Sequence, residues 1–289
     1  VTVEHALGTA TVEGTPRRVV ALGPADLDAA LALGADVVGS ASTGSGEGVT
    51  PWTSAAVEAA GADLAVLAVT GDALEVDLEE VAALHPDLIL AATYYGIDDA
   101  YDELSQIALT TAYREGPVAD TWQQVTSQVG EAIGRPDDAA ALVDEVESAL
   151  ADAPDAAGQT FTFGFVTPDS VMALRDPDDV MMTVPAGLGL TLSPAVLDLP
   201  EGESFAVPVS LELVDALDAD VLALYDGGDT DARSTLEQSP LYPGLPVVER
   251  NAVVDLDDDQ FFALRNPTAL AIPWLLTTTA PALLTAAQM

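Results

Sequence analysis

The stretch VDLEEVAALHPDLIL, Val76 to Leu90, returns 133 positions later as VSLELVDALDADVLA, Val209 to Ala223, with seven of fifteen positions identical in register. The shared pairs are Val76/Val209, Leu78/Leu211, Glu79/Glu212, Val81/Val214, Ala83/Ala216, Leu84/Leu217 and Asp87/Asp220. In the first copy Asp77 is placed to cap a helix, with Glu80 completing a capping box. Val81 and Leu84 face inward, and Pro86 ends the helix before a strand at Asp87–Ala91. In the second copy Ser210 stands where Asp77 does, and the strand runs Asp220–Leu224. A helix-then-strand unit built twice predicts two α/β regions, and 289 residues suffice for two cores.

Outward from the first copy, Val3–Val12 reads as an edge hairpin, Arg18–Leu22 as a buried strand, and Asp26–Leu33 as a helix ended by Gly34. A short strand follows at Asp36–Gly39. Ser40–Ser54, rich in Gly, Ser and Thr, reads as a loop, Val57–Ala60 as helix and Leu64–Val69 as strand. Strands alternating with short helices imply a mostly parallel sheet covered on both faces. Thr121–Ala153 is helical apart from Gly134–Pro136, where Pro136 can open a second helix. Strands recur at Thr160–Val166, Val171–Leu174 and Ala252–Leu256, and a closing helix is expected from Thr268 to Ala287. The domain reading is therefore 1–119, an N-terminal α/β lobe; 120–155, a connecting helical segment; and 156–289, a C-terminal α/β lobe. A ligand is expected in the cleft between the lobes, beyond the carboxyl ends of the strands.

Composition narrows the function. Against 48 Asp and Glu stand eight basic residues, all arginine, for a formal charge of −40. Such a surface argues against nucleic acid backbone or an anionic membrane as a general electrostatic partner. Cysteine is absent, which removes disulfides, thiol catalysis and thiolate metal sites. No apolar run approaches the roughly 20 residues that span a bilayer. The two histidines, His5 and His85, lie in no HxxH or HExxH pattern, and GxSxG, GxGxxG and Walker A sequences are missing. The chain is not expected to be an enzyme. The runs DPDD, Asp176–Asp179, and DLDDD, Asp255–Asp259, read as solvated acidic turns rather than calcium loops, since neither has the EF-hand spacing.

Binding residues are the more informative set. Trp52 lies in the Gly-rich loop, Tyr94 and Tyr95 follow the strand at Asp87, and Tyr225 follows its repeat partner. Arg114, Arg175, Arg233 and Arg265 occur at element ends, where ligand contact competes with structural salt bridges. Met172 and Met181 can supply adaptable apolar contacts. Arg17, Arg18, Arg135 and Arg250 read as solubilising surface charges.

These segments carry a resemblance. TVEGTPRRVVALGPADLDAALALGADVVG, LEEVAALHPDLILAATYYG, YDELSQIALT, WQQVTSQVGEAIGRPDDAAALVDEVE, VSLELVDALDADVLAL and LPVVERNAVVDLD occur in the order found in substrate-binding proteins of bacterial iron-siderophore ABC importers. That group also includes haem and cobalamin binders, and the chain resembles it over nearly its whole length. The resemblance implies two Rossmann-like lobes joined by a long connecting helix, the class III periplasmic binding protein arrangement. It implies capture of a metal chelate, no intrinsic cofactor, and delivery to a transmembrane permease by a monomer. It also implies that Glu79 and Glu212 dock onto that permease. Relatives are exported, as periplasmic proteins or as lipoproteins anchored through an N-terminal cysteine. This sequence shows neither a signal peptide nor that cysteine, so any anchor is expected to lie in a removed segment. Scarce cations and the charge of −40 favour a neutral or cationic ferric hydroxamate over a triply negative catecholate. Haem and cobalamin are the alternatives within the class, and a non-catalytic structural or signalling α/β protein is the alternative outside it.

Overall fold

The computed structural model describes residues 1–42, 48–70, 75–116, 119–156, 158–200 and 206–289. The chain divides into two compact units: Val1–Ser148 with Asn266–Pro273, and Ala149–Arg265 with Trp274–Met289.

In the first unit β1 (Thr2–His5) and β2 (Gly8–Thr11) form the expected antiparallel hairpin. Next come β3 (Val19–Ala21), α1 (Pro24–Ala32), β4 (Val37–Ala41), α2 (Pro51–Ala60) and β5 (Ala65–Leu67). A small pair, β6 (Val69–Thr70) and β7 (Glu75–Val76), precedes α3 (Leu78–Ala83), β8 (Leu88–Leu90), α4 (Ile97–Ile107) and β9 (Leu109–Thr111). The main sheet is wholly parallel, in the order β5-β4-β3-β8-β9, so the winding reverses between β3 and β8. Its strands are apolar on both faces because both are covered. Val19, Ala21, Leu88 and Leu90 join a core with Leu27 of α1, while Val20 and Ile89 point the other way to Val81 of α3 and Leu104 of α4.

Helix does not wait until Val57. It starts at Pro51, inside the stretch read as loop, because proline suits the first helical turn and a buried carboxylate holds the next two residues. Residues 43–47 of that stretch lie outside the described residues. Asp77 caps α3 as expected, but through the Glu79 N–H at 2.8 Å rather than that of Glu80.

Two helices follow, α5 (Trp122–Ala132), with a Thr121/Gln124 capping box, and α6 (Pro136–Ala151). Gly134 at φ 76° ends the first. A Cβ on Gly130 would sit 2.3 Å from that of Ala139, so only glycine permits this approach of the two helices.

The second unit contains β10 (Thr160–Val166), β11 (Ser170–Leu174), α7 (Thr183–Gly187), β12 (Thr191–Leu192), α8 (Pro194–Leu197), β13 (Ala206–Ser210) and β14 (Val221–Tyr225). It continues through α9 (Thr230–Glu237), α10 (Pro246–Glu249), β15 (Val253–Asp255) and α11 (Asp258–Arg265). The closing helix is two, α12 (Ala271–Thr278) and α13 (Ala280–Ala286), with Pro281 opening the second. The sheet order is β13-β11-β10-β14-β15, with β12 also on β10. Here the expectation of parallel strands fails in part: β10 and β11 form an antiparallel hairpin, and β13 pairs antiparallel with β11.

The repeat is only half a structural repeat. Its second copy forms no α-helix. Ser210 ends β13, its carbonyl closes a turn at the Leu213 N–H, and a 3-10 helix covers Val214–Leu217. What both copies share is the aspartate. Asp87 accepts the Arg17 and Arg18 N–H groups at 2.8 and 3.0 Å where β3 begins, and Asp220 accepts the Thr160 N–H at 2.8 Å where β10 begins. In each unit the strand after the aspartate lies parallel beside the strand it holds.

Three arginines read as surface charge also have structural work. Arg18 Nη2 donates to the Leu84 carbonyl at 2.6 Å, Arg135 Nη1 to that of Leu33 at 2.6 Å, and Arg250 Nη2 to that of Ala219 at 3.0 Å. Each meets carbonyls left without intrahelical partners at or just beyond a helix end, where a cation is favoured.

Candidate functional site

The winding reversal between β3 and β8 is where an open parallel sheet usually offers a crevice. In the first unit it is filled. Asp26, fully buried in α1, accepts the Ala92 N–H at 2.9 Å and both the N–H and the hydroxyl of Thr93 at 2.8 Å. Burial pushes this carboxyl upward and the three hydrogen bonds pull it back. A Cβ on Gly23 would lie 2.1 Å from Thr93 Oγ1 and 2.5 Å from Asp26 Oδ2, so the β3 turn has to be glycine.

The loop after β8 carries the tyrosine pair in opposite senses. Tyr94 is 4% exposed, and its hydroxyl accepts the Val76 N–H at 3.2 Å. Burial pushes its phenol above the usual range. Tyr95 is 63% exposed. Of the two, only Tyr95 exposes its side chain.

Trp52 is a core residue rather than a loop residue. It is buried, and its indole N–H donates to Asp28 at 2.8 Å. Asp28 also accepts from Thr53 Oγ1 at 2.6 Å and Thr268 Oγ1 at 2.5 Å, so three donors converge on one buried carboxylate. Desolvation outweighs those bonds and pushes Asp28 up to about 6. Thr268 meanwhile caps α12 by accepting the Ala271 N–H at 2.9 Å, tying Asn266–Pro273 into the first unit.

In the second unit the repeat partner, β14, ends on Tyr225. Its register neighbour on β10 is Phe165, and that of Phe165 on β11 is Met172. Residues directly opposite one another in a sheet share a face, so Met172, Phe165 and Tyr225 form one row. Phe261 of α11 stacks on Tyr225 with centroids 4.0 Å apart and planes 9° from parallel, and Phe165 lies 5.5 Å from Tyr225. All four side chains are half-buried. The Tyr225 hydroxyl donates to Asp258 at 3.0 Å. Burial, that bond and the charges of Asp258 and Asp226 push the phenol up to about 12. A Cβ added to Gly227, at φ 62°, would lie 3.6 Å from Phe165 and 3.8 Å from the Tyr225 hydroxyl.

Met172 and Tyr225 are separate binding candidates in the sequence, whereas Phe165 and Phe261 are not among them. The signal for Phe165 lay in FTFGFV, where Phe161, Phe163 and Phe165 alternate onto one face and only the last, at the carboxyl end of β10, is partly open. Phe261 was hidden behind DLDDD. That run is more than a solvated turn: Asp255 pairs with Arg233 at 2.5 Å, Asp257 accepts the Gln260 N–H at 2.8 Å, and Asp258 takes Tyr225.

Each arginine candidate has a protein partner of its own. Arg175 follows β11, which runs antiparallel to β10, so it lies toward the amino end of β10 and donates Nε to the Leu199 carbonyl at 2.7 Å. Arg233 bridges Glu237 and Asp255. Arg265 pairs with Asp179 at 3.3 Å, and Asp179 also accepts the N–H of the buried Met181 at 2.9 Å. In the first unit Arg114 pairs with Glu131 at 2.8 Å. Glu79, second residue of α3, and Glu212, in the turn after β13, are both exposed. Among the described residues no group of three or more His, Asp or Glu is arranged to hold a metal, and no helix is long and apolar enough to cross a membrane.

Known proteins match this architecture. Over 274 residues the chain is 28% identical to the ferric enterobactin-binding periplasmic protein FepB of Escherichia coli, covering 88% of this chain and 83% of that protein. Over 265 residues it is 25% identical to the Fe(3+)-citrate-binding protein YfmC of Bacillus subtilis, covering 90% and 79%. The crystal structure of a periplasmic solute binding protein from Mycobacterium smegmatis aligns with a TM-score of 0.81 at 27% identity, over 99% of this chain and 98% of that one. With the family description "Periplasmic binding protein" matched across residues 19–260, on sheets that wind as described, the chain belongs to the periplasmic binding protein family.

Proposed function

We propose that this chain is the extracytoplasmic substrate-binding component of an ABC importer, capturing a ferric siderophore of the hydroxamate type and delivering it to a transmembrane permease. The observation that carries the reading is the half-buried row Met172–Phe165–Tyr225 with Phe261 stacked on it, at the carboxyl ends of β10 and β14. Such a surface suits a bulky chelate recognised by ring packing, with the iron already ligated by the chelator. No protein metal ligand and no reaction are then required. The relatives named for ferric enterobactin and Fe(3+)-citrate support an iron chelate as the class.

The hydroxamate preference rests on charge. Arg114, Arg233 and Arg265 each face a carboxylate, and Arg175 donates to a carbonyl, while Asp226 and Asp258 flank the aromatic row. A triply negative chelate would meet carboxylates there rather than open guanidinium groups. Tyr95 is the corresponding candidate on the first unit. Glu79 and Glu212 are the candidate docking residues for the permease, both exposed and both in the repeated stretch.

Calorimetric titration against ferric hydroxamates, ferric catecholates, haem and cobalamin tests this reading. Saturable one-to-one binding of a ferric hydroxamate, weakened about tenfold by Tyr225→Ala through loss of a stacking partner, is expected. No saturable response to any of the four classes, or tightest binding of haem, would overturn it.

A further inference from the structure

Carboxylates border the aromatic row. Asp258 Oδ1 accepts the Tyr225 hydroxyl at 3.0 Å, and Asp226 lies close enough for its charge to act on the same phenol. Asp257 and Asp258 both act on half-buried Asp259 at the start of α11. Arg233 is neutralised twice, by Glu237 at 2.8 Å and Asp255 at 2.5 Å, and Arg265, one turn along α11 from Phe261, is paired with Asp179 at 3.3 Å. Acidic residues on a surface of charge −40 mean little by themselves. What singles out Asp258 is its hydrogen bond to the ring that stacks on Phe261 with planes only 9° apart. That bond fixes a carboxylate at the edge of a π-surface. Both parts attract a cation: the carboxylate by its charge, the ring faces by their quadrupole.

Resting on the siderophore reading above, we propose that Asp258 is a specificity-determining residue of the ligand platform. It selects ferric chelates that carry a cationic group, an ammonium in the simplest case, and disfavours polyanionic ones. The hydroxyl of Tyr225 positions the carboxylate, and Phe261 and Phe165 supply the apolar surface against which the rest of the chelate packs. At a separation of about 6 Å, with an effective dielectric constant midway between protein and water, one unit of ligand charge changes affinity about tenfold.

The test uses the intact chain and two probes differing by one charge: a linear ferric trihydroxamate with a free terminal amine, and the same complex N-acetylated. Calorimetry at 0.1 M NaCl should show the amine form binding about tenfold tighter. That ratio should shrink at 1 M NaCl as screening shortens the reach of the charge, and Asp258→Asn should bring it toward one. Equal affinity of the two chelates for the unaltered protein would overturn the proposal while leaving the siderophore reading intact. Failure of both to bind would overturn the proposal, and the siderophore reading falls with it only if the wider ligand series also gives no saturable response. If Asp258→Asn does not fold, the ratio in the unaltered protein still decides, with Asp226→Asn as the second variant expected to lower it.

Discussion

Asp28 permits the sharpest physical prediction, because among the described residues it is a buried carboxylate met by three neutral donors. Its value moves from 3.8 to about 6, chiefly through desolvation. That rise corresponds to about 3 kcal/mol between the two protonation states. The folded value exceeds the unfolded one, so between them the folded state holds the proton and the unfolded state does not. Stability from this group is therefore fully present below about pH 4, falls as pH rises, and is lost above about pH 6. Asp28→Asn removes the titration. Its unfolding free energy relative to the unaltered protein should rise by about 3 kcal/mol between pH 4 and pH 7.5, whatever its absolute stability, since the other carboxylates cancel in the difference. Urea unfolding of both proteins at the two pH values measures this. The indole N–H of Trp52 gives a local check by NMR, as its resonance should titrate with a midpoint near 6 and stop doing so in the variant. A stability difference that does not change with pH, or an indole resonance flat from pH 4 to 8, would refute the account of Asp28 as a core carboxyl whose burial outweighs its hydrogen bonds.

Other consequences are open to direct measurement. Gly23→Ala drives a methyl group into Thr93 and Asp26 and should destabilise the protein by about 1–3 kcal/mol in urea unfolding; a neutral result would mean the β3 turn can shift. Self-repulsion at −40 is relieved by salt, so the melting temperature should climb by about 5 °C or more between 0.05 and 2 M NaCl, and a flat profile would show that the charges are already too well separated to matter. Reversing both Glu79 and Glu212 to lysine should leave chelate affinity within about twofold while abolishing uptake through the permease. Surviving uptake would remove the docking assignment.

The sequence revealed those parts of the fold that depend on local rules, and concealed those that depend on strand partners. The strands at Val19–Ala21 and Leu88–Leu90 were readable because burial on both faces leaves an uninterrupted apolar run. Helix α1 was readable because Gly34, at φ 68°, stops it in a conformation few other residues adopt. The repeat was visible, yet its meaning was not. Matching letters predicted two equal helices, whereas the feature held in common is an aspartate receiving backbone N–H groups from another strand, a long-range bond with no local signature. The same limit governs the site. Tyr225 could be placed at a strand end by pattern, but its neighbours depend on register: Phe165 reaches it across a parallel pairing, and Met172 reaches Phe165 across an antiparallel one. The direction of β11 also explains why Arg175 leaves the site. Read as parallel, the strand would have carried Arg175 to the end where Tyr225 lies; running the other way, it carries Met172 there and Arg175 to the Leu199 carbonyl. A single strand direction thus puts a thioether rather than a cation at the end of the sheet where Tyr225 lies.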